Sequence, residues 1–418
     1  MTIAPETDLR VDEIDLSSFD FWLLPEEERE AAFRKLRHER PVAFFAEPEI
    51  EAIPHGPGYW SLTRYTDVMQ ASRNPGSFIS GEGTNIPDFP EVFRDVFGSM
   101  INMDAPRHTK LRLIVNRGFT PRMVARIEQR VHEIAREILD EVAPKGECDF
   151  VTEVAAALPL RIICDMMGIP PSEYRWVFDN TNRVLGATDP EYGETILTAL
   201  QAGMELYQYA QDLGSERLAN PREDITTALM QAEVDGERLT AQELGSFFVL
   251  LVVAGNETTR NAISHGLKVL TDHPDQRQAW IDDFDGLATT AVEEIVRWAT
   301  PVIHFRRTCT EDTVLSGQEI KAGDKVVLWY NSANRDEDAF DDPYRFDIRR
   351  MPNDHVGFGA GGPHFCLGAH LARREIRVMF EELFQRLPDI EVSGEPALLL
   401  SSFIHGIKHM PVRYSPST

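Results

Sequence analysis

The sequence predicts a mainly α-helical protein with a smaller β-containing lobe, folded as a single domain over residues 1–418. Three observations support this. Helical periodicity runs from Ala105 to Leu218 and returns over Leu239–Leu270, Pro274–Thr300 and Ala369–Leu387. Aromatic and β-branched residues concentrate in Pro41–Phe45, Tyr59–Leu62 and Pro301–Tyr330, with strand-and-turn character again over 389–413. No linker, low-complexity tract or internal repeat divides the chain. The β-rich lobe is therefore expected from residues 40–65, 301–330 and 389–413, and the helical region from 66–300 and 355–388.

A polar arm leads into a short helix, Pro25–Arg37. The first two strands are separated by Pro54, Gly56, Pro57 and Gly58, which favour turns. Asp67–Arg73 reads as one or two helical turns. Residues 74–99 combine Pro75, Pro87 and Pro90 with Phe78, Ile86, Phe89, Val92, Phe93, Val96 and Phe97. Two readings fit this segment: a lid over a binding site across 78–97, or a surface loop pinned by its own apolar residues. The helical stretch that follows is punctuated at Thr120-Pro121, Pro144, Pro159, Gly168–Pro171 and Asp189-Pro190. Leu239–Leu270 is the longest helix. Thr240 with Glu243 three residues on makes a capping box, and Phe247–Ala254 is apolar all round, as befits a helix crossing the core. Asn331–Asp354 is irregular and rich in Asp and Arg.

Lys and Arg total 42 against 68 Asp and Glu, a net charge of −26, which sets aside nucleic-acid binding. The four cysteines (148, 164, 309, 366) are scattered without C-x-x-C or zinc spacing, so a reducing, cytoplasmic location is expected. Met1–Arg10 has no apolar signal core, and Phe247–Ala254 is too short to span a bilayer.

The chemistry concentrates around Cys366. A glycine-rich loop, Phe358 to Gly368, delivers this sulfur to the start of a helix, where N–H groups and the helix dipole favour a thiolate and hence metal ligation. In the long helix, Ala254-Gly255-Asn256-Glu257-Thr258 places a glycine in a helix interior. It also puts the Thr258 hydroxyl within reach of the Ala254 carbonyl four residues back. Two readings stand: a bulge with room for water or O2 beside an acid–alcohol proton relay of Glu257 and Thr258, or a packing kink with Glu257 reaching solvent. Glu294 and Arg297 share a helix face at i, i+3, and Arg345 in the irregular segment could join them. His108 and Arg112 (i, i+4), Arg307 and His364 could pair with carboxylates. Arg373, Arg374 and Arg377 follow Cys366 on its helix, while Arg112, Arg117, Arg122, Arg126 and Arg130 cluster elsewhere. Two readings again apply: a docking face for an acidic partner, or solvated helix surfaces.

Taken in order and spacing, these pieces resemble the cytochrome P450 family over nearly the whole chain. The resemblance implies the P450 fold, with haem b buried between the long central helix and the Cys-loop helix. It makes Cys366 the axial thiolate and Thr258 and Glu257 the oxygen-activating pair. Ala254, Gly255, Phe358 and Gly368 would lie against the haem. It makes His108, Arg112, Arg307 and His364 the propionate contacts, and Glu294, Arg297 and Arg345 a structural triad, with Arg349 the second choice for its third member. Phe358 stands eight residues before Cys366, one more than the usual family loop. Val252–His265, Asp285–Trp298 and Ser402–Lys408 look like methyl-branched lipid ω-hydroxylases, and the long loop is similar to that of cholesterol side-chain monooxygenases. The implied reaction inserts one atom of O2 into a C–H bond of an apolar lipid, sterol or terpenoid. Electrons would come from a ferredoxin and its reductase, with NAD(P)H upstream. Leu250, Val253, Ala254, Val302, Ile303, Phe403 and Ile404 are the candidate substrate lining. A peroxide-driven peroxygenase is the rival within the class, and a haem sensor or electron carrier the rival outside it.

Overall fold

The computed structural model describes residues 4–50, 53–90, 96, 98–118, 121–192 and 195–417, with the side chains at 118 and 121–124 outside that set. Val92, Phe93 and Phe97 of the expected lid, Thr120, and the side chain of Arg122 therefore lie outside the described residues.

The helix Ala241–Asp272 crosses the centre of the molecule without interruption. Its start is fixed as its capping box dictates: the Glu243 N–H donates to the Thr240 hydroxyl (3.1 Å) and the Thr240 N–H to the Glu243 carboxylate (3.0 Å). Phe247, Phe248, Val249 and Val252 are buried. Around it pack Ala157–Met167, Tyr174–Leu185, Ile196–Ala219, Phe284–Ala299 and Ala369–Arg386. Pro159 does not break its helix, because it falls in the first turn, where no intrahelical N–H bond is needed. Gly168 does end that helix, in the left-handed conformation (φ 75°) that glycine adopts without cost. Among the described residues no helix is long and apolar enough to cross a membrane.

The smaller lobe is a five-stranded sheet in the order Val42–Phe45, Tyr59–Leu62, Lys325–Trp329, His304–Cys309, Phe78–Ile79. Only the Tyr59–Leu62 and Lys325–Trp329 pair is parallel. That pairing requires a long crossover, and the helical body between residues 65 and 299 is that crossover. The lobe is sealed by aromatic packing: Trp22 stacks on Trp329 at 5.7 Å, and Phe33 lies 5.3 Å from the same ring.

Two expectations are corrected. Phe78 belongs to the sheet, paired with Cys309, rather than to a lid. The terminal stretch 389–413 does not join the lobe's sheet. Pro411–Arg413 pairs on one side with Glu391–Val392 and on the other with Glu147–Asp149, a strand within the region read as helical, while Ala397–Leu398 pairs with Ile407–His409. Ile407, Met410 and Val412 pack into the helical core, so burial draws this end to the helices.

The irregular stretch before the Cys loop is held by a carboxylate. Glu294 and Arg297, both fully buried, meet through two bonds of 2.7 and 2.8 Å. The third member is Arg350, whose Nε reaches both Glu294 oxygens at 3.2 and 3.1 Å. Arg345 points outward, with its side chain 54% exposed beside Asp347, and Arg349 is also exposed; neither joins the cluster. Asp347 N–H and the Asn353 amide also donate to Glu294. Burial alone would raise the Glu294 carboxyl, but Arg297 and Arg350 outweigh it and hold the group below its ordinary value. Arg297 in turn donates to the carbonyls of Asn334, Pro343 and Arg345. Asn334 passes the constraint onward, accepting the Val356 N–H at 2.8 Å just ahead of the Cys loop.

Arg350→Ala should cost about 1–3 kcal/mol in urea unfolding, because it leaves a buried carboxylate short of a charged donor. Arg345→Ala should stay within about 0.5 kcal/mol. Equal effects would contradict the assignment.

Candidate active site

Cys366 hangs from a loop shaped by its glycines. The Cys366 N–H donates to the Phe358 carbonyl at 3.0 Å, closing the loop on itself. Gly361 and Gly362 are both left-handed (φ 80°), and these consecutive turns take up the extra residue between Phe358 and the cysteine. A Cβ on Gly362 would lie 2.4 Å from the Ser72 carbonyl, and the Ser72 hydroxyl donates to the Gly361 carbonyl at 2.9 Å. The loop is thus seated on the helix Tyr65–Arg73. Phe358 lies beneath Arg373, whose guanidinium is 4.3 Å from the ring centroid.

Burial pushes the Cys366 thiol up. The Gly368 N–H, Arg112 and Arg373 oppose that shift without overcoming it, so the protein's own groups do not suffice for a thiolate. The helix begins only at Ala369. A cation bonded to the sulfur is the strong remaining influence available.

Cys366 opens onto a cavity of about 520 Å³ between its loop and the central helix. Ala254, Gly255, Thr258, Phe358 and Gly368 line it, and no protein atom lies within 4 Å of where a Gly368 Cβ would sit. His108, Arg112, Arg307 and His364 line it as well. The His108 and His364 rings stand 4.3 Å apart, and each has a buried Nε2 without a partner. Burial, then Arg307, His108 and Arg112, push His364 down to about 3. Burial also lowers Arg307, whose Nη1 reaches only the Arg306 carbonyl. Two guanidiniums beside two buried imidazoles call for an anion, whose charge would favour the protonated rings that can donate to it. Arg112 also donates to the Pro363 and Phe365 carbonyls (3.0 and 2.7 Å) and braces the loop.

On the central helix the Thr258 hydroxyl donates to the Ala254 carbonyl at 2.7 Å. The helix neither breaks nor opens there. A Cβ at Gly255 would meet the terminal methyl of Ile163 on the neighbouring helix, so a larger residue there would require Ile163 to turn aside. Glu257 does not reach solvent; it is 1% exposed. One of its oxygens pairs with Arg260 and accepts from Asn261 at 3.3 Å, while Oε2 is buried without a partner.

A second cavity of about 290 Å³ adjoins the first. Both are bounded by Ile101, Leu250, Ala254, Thr258, Val302 and Phe305, so Thr258 stands at their junction. Val253, Glu257, Phe403 and Ile404 line the second cavity, as do Ile86, Phe89 and Val96 from the expected lid. Ile303 does not line it; its side chain joins the aromatic core of Trp22, Phe33 and Trp329. Ile101, Phe305 and His304 were missed by sequence reasoning, since nothing in their neighbourhood marks one face of a short strand or loop as open.

The arginines that were expected to form a docking face are engaged. Arg373 pairs with Glu293 (2.5 Å), Arg377 with Asp285 (2.6 Å), and Arg374 bonds His132 (2.9 Å). Although burial opposes it, His355 and Arg373 hold the Glu293 carboxyl down to about 2. Arg130 meets Asp165, Glu133 and Glu137, Arg126 meets Glu223, and Arg117 bonds the Glu233 carbonyl.

A cytochrome P450 family profile matches residues 286–393. The chain is 51% identical over 415 residues to a methyl-branched lipid omega-hydroxylase of Mycobacterium tuberculosis, covering 99% of this chain and 97% of that one. It is 44% identical to a steroid C26-monooxygenase of Rhodococcus jostii, over 92% of this chain and 82% of the relative. A Mycobacterium marinum cytochrome P450 solved in complex with pseudoionone superimposes with a TM-score of 0.91 at 45% identity, covering 99% and 100% of the two chains. This chain belongs to the cytochrome P450 family, and it is a P450 monooxygenase. Membership implies haem, and the residues present fit it: a sulfur at one wall, an open glycine beside it, and two guanidiniums with two unpartnered imidazole nitrogens where carboxylates can bind.

Proposed function

We propose that the enzyme hydroxylates the chain end of a methyl-branched or isoprenoid lipid, or of a sterol side chain, with Cys366 as the axial ligand of haem b. The observation that carries this is the pairing of a largely apolar second cavity with the cofactor-sized one, joined at Ala254 and Thr258. The names of the relatives support the substrate class. Arg307, Arg112, His108 and His364 hold the haem propionates, whose charge favours protonation of the two imidazoles so that each can donate. When bound, the haem supplies O2 activation and transfer of one oxygen atom to a C–H bond. A ferredoxin and its reductase deliver two electrons from NAD(P)H. Because Arg373, Arg374 and Arg377 already have partners, docking uses them only as part of a mixed-charge surface.

The chain's own residues do the rest. Leu250, Val253, Val302 and Phe403 exclude water and align an alkyl chain, and a terminal methyl reaches the junction at least steric cost. Thr258, anchored by the Ala254 carbonyl, keeps its oxygen lone pairs free to hold a water or proton at the junction. Glu257 presents its free Oε2 on the second cavity's wall as an acceptor that takes up a proton from water and passes it on.

Cys366→Ser should abolish the strongly red-shifted Soret band of the reduced, CO-bound protein; retention of the band would remove Cys366 as ligand. Thr258→Ala should cut product formed per NAD(P)H consumed by roughly tenfold or more and release peroxide instead; unchanged coupling would remove the relay. Branched lipids, sterols and terpenoids titrated against the ferric protein should shift its spin state, and mass spectrometry should find oxygen at a chain terminus. In-chain products would contradict the regiochemistry.

A further inference from the structure

Lys325 opens the central strand of the five-stranded sheet, opposite Tyr59 on one side and Thr308 on the other. Its side chain is buried, yet it does not line the second cavity. Nζ lies 2.7 Å from Glu47 Oε1, 2.8 Å from Asp88 Oδ2 and 3.3 Å from the Ile86 carbonyl. These partners belong to two stretches of chain well apart in sequence. Pro48 and Ile50 follow Glu47, while Ile86, Pro87 and Phe89 flank Asp88, and all of them line the second cavity. Neither stretch is helix or strand, so no ladder of backbone bonds fixes its distance from the sheet. Arg306, on the neighbouring strand, backs the second stretch: it meets Asp88 Oδ1 at 2.6 Å and donates to the Glu82 and Ile86 carbonyls. Burial would raise the Asp88 carboxyl, but Lys325 and Arg306 hold it below its ordinary value. Glu47 is buried, and its second oxygen has no partner. Lys325 is the member of this cluster that joins the two stretches.

We propose that Lys325 is a positioning residue for the oxidation: from outside the second cavity it ties two stretches of the cavity wall to the rigid sheet and to each other, and so sets which carbon of the substrate is presented. The proposal rests on the reading that this cavity holds the lipid. Lys325 touches neither substrate nor reacting atoms. Its loss should therefore widen the cavity and loosen the chain within it, leaving the cofactor compartment as it was.

Pristane, a methyl-branched alkane, and farnesol, an isoprenoid alcohol, serve as probes of the full-length holoenzyme. Lys325→Met keeps the length of the side chain and removes its charge. Its CO-bound Soret band should stay in place, while spin-state affinity for the probes falls roughly tenfold, as a displaced wall far from the chemistry can cause. The ratio of terminal to in-chain products should change by about threefold or more, with electron consumption at saturation within about twofold. Asp88→Ala should move affinity and product ratio the same way, and Asp88→Glu, which keeps the charge, should restore most of both. A merely structural ion pair would lower the unfolding midpoint and leave the product ratio of the folded protein unchanged; that result overturns the proposal. Asp88 is half-exposed, so its two variants decide the matter should Lys325→Met not fold. The readout is a change in ratio, whichever position the unaltered enzyme favours, so the regiochemistry can fail by itself. If the unaltered enzyme oxidises neither probe, the lipid reading and this proposal fall together; if it oxidises them and the variants match it, only the role of Lys325 falls.

Discussion

A single buried carboxylate governs where the sulfur of Cys366 sits. Glu294 collects Arg297, Arg350, the Asp347 N–H and the Asn353 amide, and Arg297 reaches on to three carbonyls of the irregular stretch. That stretch has little repetitive backbone pairing of its own, so these contacts substitute for a helix or sheet ladder. The net stability of such a cluster is modest, because desolvation offsets most of the attraction. Its geometric effect is larger. A loop of residues without periodic structure is delivered to Val356 in one position, and from there three left-handed glycines and the Ser72 contact set the path to Cys366.

The two cavities differ in chemistry because different elements supply their walls. The larger gathers two guanidiniums and two imidazoles, Arg112, Arg307, His108 and His364, from the helix Arg107–Gly118, the strand His304–Cys309 and the Cys loop. The smaller is walled by the apolar face of the central helix and by segments near residues 86, 185, 302 and 403. Thr258 belongs to both walls because residues 250, 254 and 258 form one helical stripe. A single helix therefore separates an anion-accepting compartment from a water-poor one and places its only shared hydroxyl at the boundary.

What the sequence disclosed follows the reach of local geometry. The Thr258 to Ala254 bond and the capping box at Thr240 were legible because helix spacing fixes them. So was the Glu294–Arg297 pair. The identity of Arg350 was not, since an irregular segment has no period that distinguishes positions 345, 349 and 350. Ile303 was assigned to the cavity alongside Val302, but neighbouring residues in an extended chain face opposite ways, and Trp22 and Phe33 claim Ile303. The packing neighbour of Gly255, Ile163, is distant in sequence and was not legible there. The engagement of Arg373 and Arg377 depended on Glu293 and Asp285, which come close only in the folded chain.

The second cavity is electrically quiet by construction, and that constrains what it can select. Glu257 would leave a bare charge in its wall, but Arg260 pairs with it from the same helix, and Asn182 holds Arg260 at 2.9 Å. This pair contributes a dipole rather than a net charge. His304 is kept neutral by burial, and its proton is committed to Ser402. In a low-dielectric space without net charge, discrimination falls to shape and to a few unsatisfied lone pairs. One such atom stands out, Glu257 Oε2 near the junction, and it accepts rather than donates. A substrate complementary to this wall is apolar over most of its length and donates where it is polar.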